Sequence, residues 1–134
     1  MIIVVDASAI LEYLLGTDLA APIGKKLRAK GTDLDTLALC DVEFVSGLRS
    51  VVFRKEVSPE RAAQAVEDYQ DLPLRLHNHR PLLARMWELR NNFSAYDAGY
   101  VALAERLEAE FLTADDPLAR SVRAHTSIRL VEIV

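Results

Sequence analysis

The chain opens on Ile2-Ile3-Val4-Val5 and then meets a carboxylate at Asp6. An unbroken β-branched run has no polar side to offer water, so it reads as a strand buried on both faces. Such strands belong to parallel sheets covered by helices, and open sheets of that kind hold their ligands at the carboxyl ends of the strands. Asp6 falls at that edge. Burying a carboxylate there without a partner is costly, so groups from later in the chain are expected to come back to meet it.

The pattern downstream alternates between strand and helix. Residues 9–15 read as a helix with Ser8 as its cap and Gly16 as its stop, and a second helix runs from Leu19 or Pro22 to Lys30. Thr36–Cys40 reads as the second strand. A long helix from about Asp41 to Lys55 follows, its apolar stripe carried by Val42, Val45, Leu48, Val52 and Phe53. Ser58-Pro59 opens a helix to about Asp71. Leu74–His77 is a weak strand, and Arg80 begins a helix that passes Met86, Trp87 and Leu89. Ser94 caps a helix over 95–109, Phe111–Thr113 is a strand, Pro117–Arg123 a short helix, and Ile128–Ile133 a closing strand. This alternation predicts an α/β fold, with a central, mostly parallel sheet of about five strands and helices on both faces. At 134 residues, without repeats or linkers, the expectation is one domain over 1–134.

Composition narrows the function. A single cysteine, Cys40, rules out an internal disulfide and points to the reducing cytoplasm. No apolar run approaches the roughly 20 residues that span a bilayer, and Asp6 interrupts the N-terminus too early for a signal peptide. The net charge of −4 gives no general attraction to nucleic acid, so a polyanionic substrate needs a local basic surface or a bound cation.

Three strands end in acids: Asp6, then Asp41 with Glu43, then Asp115 with Asp116. Asp97 sits in the first turn of the helix that Ser94 opens, at the same edge. Like charges gathered that closely raise one another's pKa, and a divalent cation relieves the repulsion. Oxygen ligands without histidine or cysteine select hard ions such as Mg²⁺ or Mn²⁺. Each acid also has a plain structural reading. Asp97 completes a capping box with Ser94, and Glu43 complements a helix dipole. Pro117 makes Asp116 the expected cap of its helix, which leaves Asp115 free for chemistry. On a helix Asp41 projects about 200° from Glu43, which favours Glu43 for the edge.

Four segments carry a resemblance: Ile3-Val4-Val5-Asp6-Ala7-Ser8-Ala9, Asp41-Val42-Glu43-Phe44, Ser94 through Ala104, and Leu112-Thr113-Ala114-Asp115-Asp116-Pro117-Leu118-Ala119. Together they resemble the PIN-domain ribonucleases, most closely the toxins of VapBC-type toxin–antitoxin pairs. The resemblance implies a strand order of 3-2-1-4-5, commonly a homodimer, and an acidic metal site of Asp6, Glu43, Asp97 and Asp115. Ser8, Thr113 and Asp116 would stand beside it. It further implies Mg²⁺-dependent (or Mn²⁺-dependent) endonucleolytic cleavage of RNA to 5′-phosphate and 3′-hydroxyl ends, with an antitoxin as the cognate partner.

Arg49, Arg54, Arg90 and Arg120 are candidates to hold the RNA backbone, against a plainer role as solvated surface. Tyr96 and Tyr100 are candidates to stack on bases, though at helical spacing core is the commoner role. Val42, Val45, Leu48, Val51 and Val52, with Ala62, Ala65, Val66 and Tyr69, read either as a partner groove or as core. The alternatives to a toxin are a PIN nuclease of RNA processing and an inactive binding module, against which the four acids argue. A receiver-like signalling domain would need paired acids after the first strand, and only Asp6 is there. A haloacid-dehalogenase-type phosphatase would need an aspartate where Ser8 stands.

Overall fold

Ile3, Val4 and Val5 are each at most 3% exposed, so both faces of the first strand are covered, as their unbroken β-branched run requires. The computed structural model describes residues 1–133. In chain order the elements are β1 (Ile2–Val5), α1 (Ala7–Leu15), α2 (Ala20–Leu27), β2 (Asp33–Leu37), α3 (Leu39–Phe53), α4 (Pro59–Gln70) and β3 (Leu74–His77). A 3₁₀ turn (Arg80–Leu82), α5 (Leu83–Glu88), α6 (Ala95–Leu107), β4 (Glu110–Leu112) and α7 (Asp116–His125) complete them. The strands form one parallel sheet in the order β3-β2-β1-β4. Helix α1 packs on α2, α3 and α4, while α6 lies against β1 and β2 with α5 outside it.

Two strand expectations are corrected. The second strand is Asp33–Leu37, and Cys40 and Asp41 already belong to the first turns of α3. Its apolar pattern is interrupted by Asp35, which the sheet nonetheless buries to 2% exposure because β3 supplies partners. Arg75 donates to Asp35 Oδ1 through Nε and Nη2 at 3.2 and 3.0 Å, and His77 Nε2 lies 2.6 Å from Oδ2. The expected fifth strand is reduced to a single parallel bridge between Phe111 and Leu130. Phe111 N–H donates to Arg129 O at 3.0 Å and Val131 N–H to Phe111 O at 2.9 Å. With β4 only three residues long, a neighbour has little ladder to extend.

Local chemistry explains several helix ends. Gly16 takes the left-handed conformation (φ 68°) that closes α1, and Ser58 and Ser94 accept backbone N–H bonds at the starts of α4 and α6. Gly99 lets α6 approach the sheet closely, since a Cβ there would lie 2.8 Å from Leu37 Cδ1. That approach brings the first turn of α6 to the carboxyl edge of β1 and β2. Among the described residues no helix is long and apolar enough to cross a membrane.

Candidate active site at the carboxyl edge of the sheet

Asp6 is the deepest of the four acids nominated for the site, at 5% exposure. Its side chain, rather than that of Ser8, caps α1: Oδ1 accepts Ala9 N–H at 3.1 Å. Ser8 instead donates to the same Oδ1 at 2.7 Å and accepts Ala114 N–H at 3.0 Å. Thr113 donates to Oδ2 at 2.5 Å and accepts Asp115 N–H at 3.1 Å. These bonds tie the end of β1 to the turn after β4. Burial pushes the Asp6 carboxyl up to about 6. The Thr113, Ser8 and Ala9 bonds hold it from rising further, and the charge of Asp115 adds to the rise.

The cap of α7 is Asp115 rather than the expected Asp116. Asp115 holds the extended conformation of a cap and accepts Leu118 N–H on Oδ1 at 3.0 Å, while Asp116 is the first residue inside α7. Asp115 is therefore both a helix cap and an exposed acid at the rim. Asp97 is half-buried on α6, where Ser94 Oγ accepts its backbone N–H at 3.1 Å. Burial first, then the charges of Asp115 and Glu43, push its carboxyl above the usual carboxylate range. Glu43, on α3, accepts the Tyr100 hydroxyl on Oε1 at 2.6 Å, whereas Asp41 accepts the Tyr69 hydroxyl at 2.6 Å. The two acids of that segment are thus held by different tyrosines. Of the pair, Glu43 is the one whose charge reaches Asp97.

Asp115 raises both Asp6 and Asp97, and Glu43 raises Asp97. Of the four acids nominated from the sequence, Asp115 thus lies near both Asp6 and Asp97, and Glu43 lies near Asp97. They do not form a ready-made cage, since among the described residues no three acidic, histidine or cysteine side chains stand together as an ion site. The donor set still suits a hard divalent ion: carboxylates with hydroxyls behind them, and a net repulsion that a cation would relieve. Cys40 is buried with its thiol pushed up by burial, so it offers no thiolate.

The arginines divide. Arg49 lies over the Phe53 ring at 4.3 Å and Arg90 over Trp87 at 4.4 Å, and Arg54 pairs with Glu56 at 3.1 Å. Arg120 lines a depression with Thr113, Ala114 and Asp116, beside the acids. The two tyrosines also part company: Tyr96 is 60% exposed, but Tyr100 is buried and bonded to Glu43. The Asp35–Arg75–His77 cluster lies outside the residues nominated from the sequence, because Asp35 precedes the expected strand and its partners stand some 40 residues on. Of the apolar positions on α3 and α4, Leu48, Val51, Ala62, Ala65 and Tyr69 are core. Phe44, Val45, Val66 and Tyr69, with Leu72, Leu74 and Leu76, line an open groove of about 350 Å³.

Residues 3–123 match the PIN domain. Ribonuclease VapC12 of Mycobacterium tuberculosis is 35% identical over 96% of this chain and 98% of its own length. Ribonuclease VapC9 of the same organism is 37% identical over the same shares. A crystal structure from Pyrobaculum aerophilum superposes with a TM-score of 0.71 at 20% identity, covering 96% of this chain and 81% of that one. VapBC2 from Rickettsia felis, solved bound to a DNA fragment from their promoter, gives 0.70 at 14% identity and covers 98% of each. The solved structures agree on the fold, and the sequence relatives on the lineage. The chain belongs to the PIN-domain family and, within it, to the VapC group.

Proposed function

We propose that this protein is a metal-dependent endoribonuclease acting as the toxin of a type II toxin–antitoxin pair, with RNA as substrate and a VapB-like protein as antitoxin. The observation that carries the reading is the convergence at one sheet edge of Asp6, bonded to Thr113 in the turn that carries Asp115, and of Asp97, on the helix whose Tyr100 holds Glu43. The names of the VapC relatives support the substrate class and the toxin role.

The four acids are the side chains to hold Mg²⁺ or Mn²⁺. When bound, the ion supplies a water of lowered pKa and offsets charge on the phosphoryl group. Asp6 is immobilised by Ser8, Thr113 and Ala9, so its oxygens are set before substrate arrives. Burial and the charges of Asp115 and Glu43 push the Asp97 carboxyl upward, which suits it to accept the proton of the attacking water at a side-chain oxygen. Arg120, at the rim, is placed to meet a phosphate of the RNA backbone. The open groove between α3, α4 and β3 suits an apolar segment of the antitoxin. A homodimer is the expected assembly.

The test is incubation with a panel of structured RNAs in Mg²⁺, in Mn²⁺ and in chelator, alongside Asp6→Asn and Asp97→Asn. Cleavage is expected only in the wild type with metal. Cutting that persists in chelator, or in both variants, overturns the mechanism. A reading frame for a small DNA-binding protein beside the gene separates a toxin from an RNA-processing nuclease.

A further inference from the structure

We infer that Tyr100 is a positioning residue for the acidic site, acting by holding the Glu43 carboxylate through its phenol. The inference rests on the nuclease reading and adds to it a group that is not itself one of the acids.

Glutamate has a long side chain with several free torsions, and Glu43 stands on an early turn of α3 where solvent reaches it in part. Left alone it would sample many rotamers. Tyr100 removes that freedom: its hydroxyl donates to Oε1 at 2.6 Å, which leaves Oε2 as the oxygen available to a cation. The phenol is itself fixed. Tyr100 is 2% exposed, its ring lies against Phe111 with centroids 6.3 Å apart and planes 28° apart, and it sits on the same helix as Asp97, three residues on. One buried ring thereby couples α6, which carries Asp97, to α3, which carries Glu43. A phenol ordinarily keeps its proton near neutral pH, so it serves as the donor of this bond. The neighbouring acid Asp41 is engaged by Tyr69 instead, so the Tyr100 bond singles out Glu43 of the two acids on α3. Groups that orient a metal-binding carboxylate in this way characteristically change metal affinity or activity by about 10–100-fold when removed.

The experiment compares wild type, Tyr100→Phe, Glu43→Gln and the double variant by Mn²⁺ titration calorimetry and by RNA-cleavage kinetics. Tyr100→Phe keeps the ring against Phe111. It is expected to weaken Mn²⁺ binding by about tenfold or more and to lower kcat, with KM for RNA at saturating Mn²⁺ unchanged. In the Glu43→Gln background the same change is expected to do nothing further, because its route of action is gone. Wild-type affinity and kcat in Tyr100→Phe, or equal losses in both backgrounds, overturn the inference. Fluorotyrosine labelling of the otherwise unaltered chain gives a readout that does not depend on how the Phe variant folds. The Tyr100 ¹⁹F resonance is expected to move on Mg²⁺ addition and to stay still in Glu43→Gln, and a resonance indifferent to Mg²⁺ in wild type overturns the inference. If wild type neither binds Mn²⁺ nor cuts RNA, it is the nuclease reading that fails.

Discussion

Thr113 Oγ1 and Asp6 Oδ2 lie 2.5 Å apart although 107 residues separate them in the chain. The bond exists because β4 lies beside β1 in parallel, with Val5 opposite Leu112, so the residues that follow the two strands emerge side by side. It supplies a donor to one oxygen of a carboxylate that the fold has almost wholly removed from water.

Replacing Thr113 by valine keeps the shape and removes the donor. A buried acceptor left short of a partner typically costs about 1–3 kcal/mol, and more when it is charged. The expected outcome is a loss of that order in urea unfolding at pH 7 and a smaller one at pH 5, where Asp6 is more often neutral. The Asp6 carboxyl should also titrate higher than in wild type, read by NMR. An unchanged titration would mean that the bond has no hold on Asp6.

The elevated Asp6 carboxyl makes the stability of the metal-free fold depend on pH. In the unfolded chain Asp6 titrates near its ordinary 3.8, in the folded protein at about 6. Folding therefore favours the neutral form. Its contribution is fully present below 3.8 and is lost as pH rises through 6, a gap worth about 3 kcal/mol at most. In chelator, wild type should melt at a higher temperature at pH 5 than at pH 7.5. Mg²⁺ should recover much of the difference at pH 7.5, and Asp6→Asn should flatten the profile. A profile in Asp6→Asn as steep as in wild type would place the dependence elsewhere.

Asp35 provides a test that leaves the acidic edge alone. Its partners are unequally placed, for Arg75 is 58% and His77 33% exposed while Asp35 is 2%. Removing the carboxylate by Asp35→Leu strands two partners that water can still reach, and should cost no more than about 1–2 kcal/mol. Removing both partners, by Arg75→Leu with His77→Leu, strands a buried carboxylate and should cost about 3–5 kcal/mol. Urea unfolding with constant m-values checks the order of the two. The reverse order would show that Arg75 and His77, rather than the burial of Asp35, dominate.

The same residue shows where sequence reasoning reached its limit. Placing the second strand at Thr36–Cys40 followed the local apolar run. The strand actually starts at Asp33 because Arg75 and His77, some 40 residues on, make Asp35 tolerable inside it. Partners that distant leave no local mark. The buried first strand was legible because it needs no partner to explain it, and Gly16, Ser58 and Ser94 were legible because a cap is chemistry within four residues. Caps failed where two candidates stood close together. Ser8 and Asp116 each lost to an aspartate one or two residues earlier, whose carboxylate reaches the third N–H of the helix. What gathered the acids in prospect was topology: the ends of parallel strands share an edge whatever the loops between them do.

Asp115 carries two duties that a pair of substitutions can separate. Its Oδ1 caps α7 through Leu118 N–H, and its charge raises Asp6 and Asp97. Asparagine keeps a capping oxygen and drops the charge, whereas alanine drops both. Asp115→Asn should leave unfolding free energy within a few tenths of a kcal/mol of wild type, and Asp115→Ala should lose about 1 kcal/mol. Both should lower the titration of Asp6 and of Asp97, because a neighbouring negative charge has gone. Both should also lose metal-dependent RNA cleavage to the same degree. If Asp115→Asn instead retained cleavage while Asp115→Ala lost it, the cap would be the residue's contribution and the metal-holding role would pass to the remaining three acids.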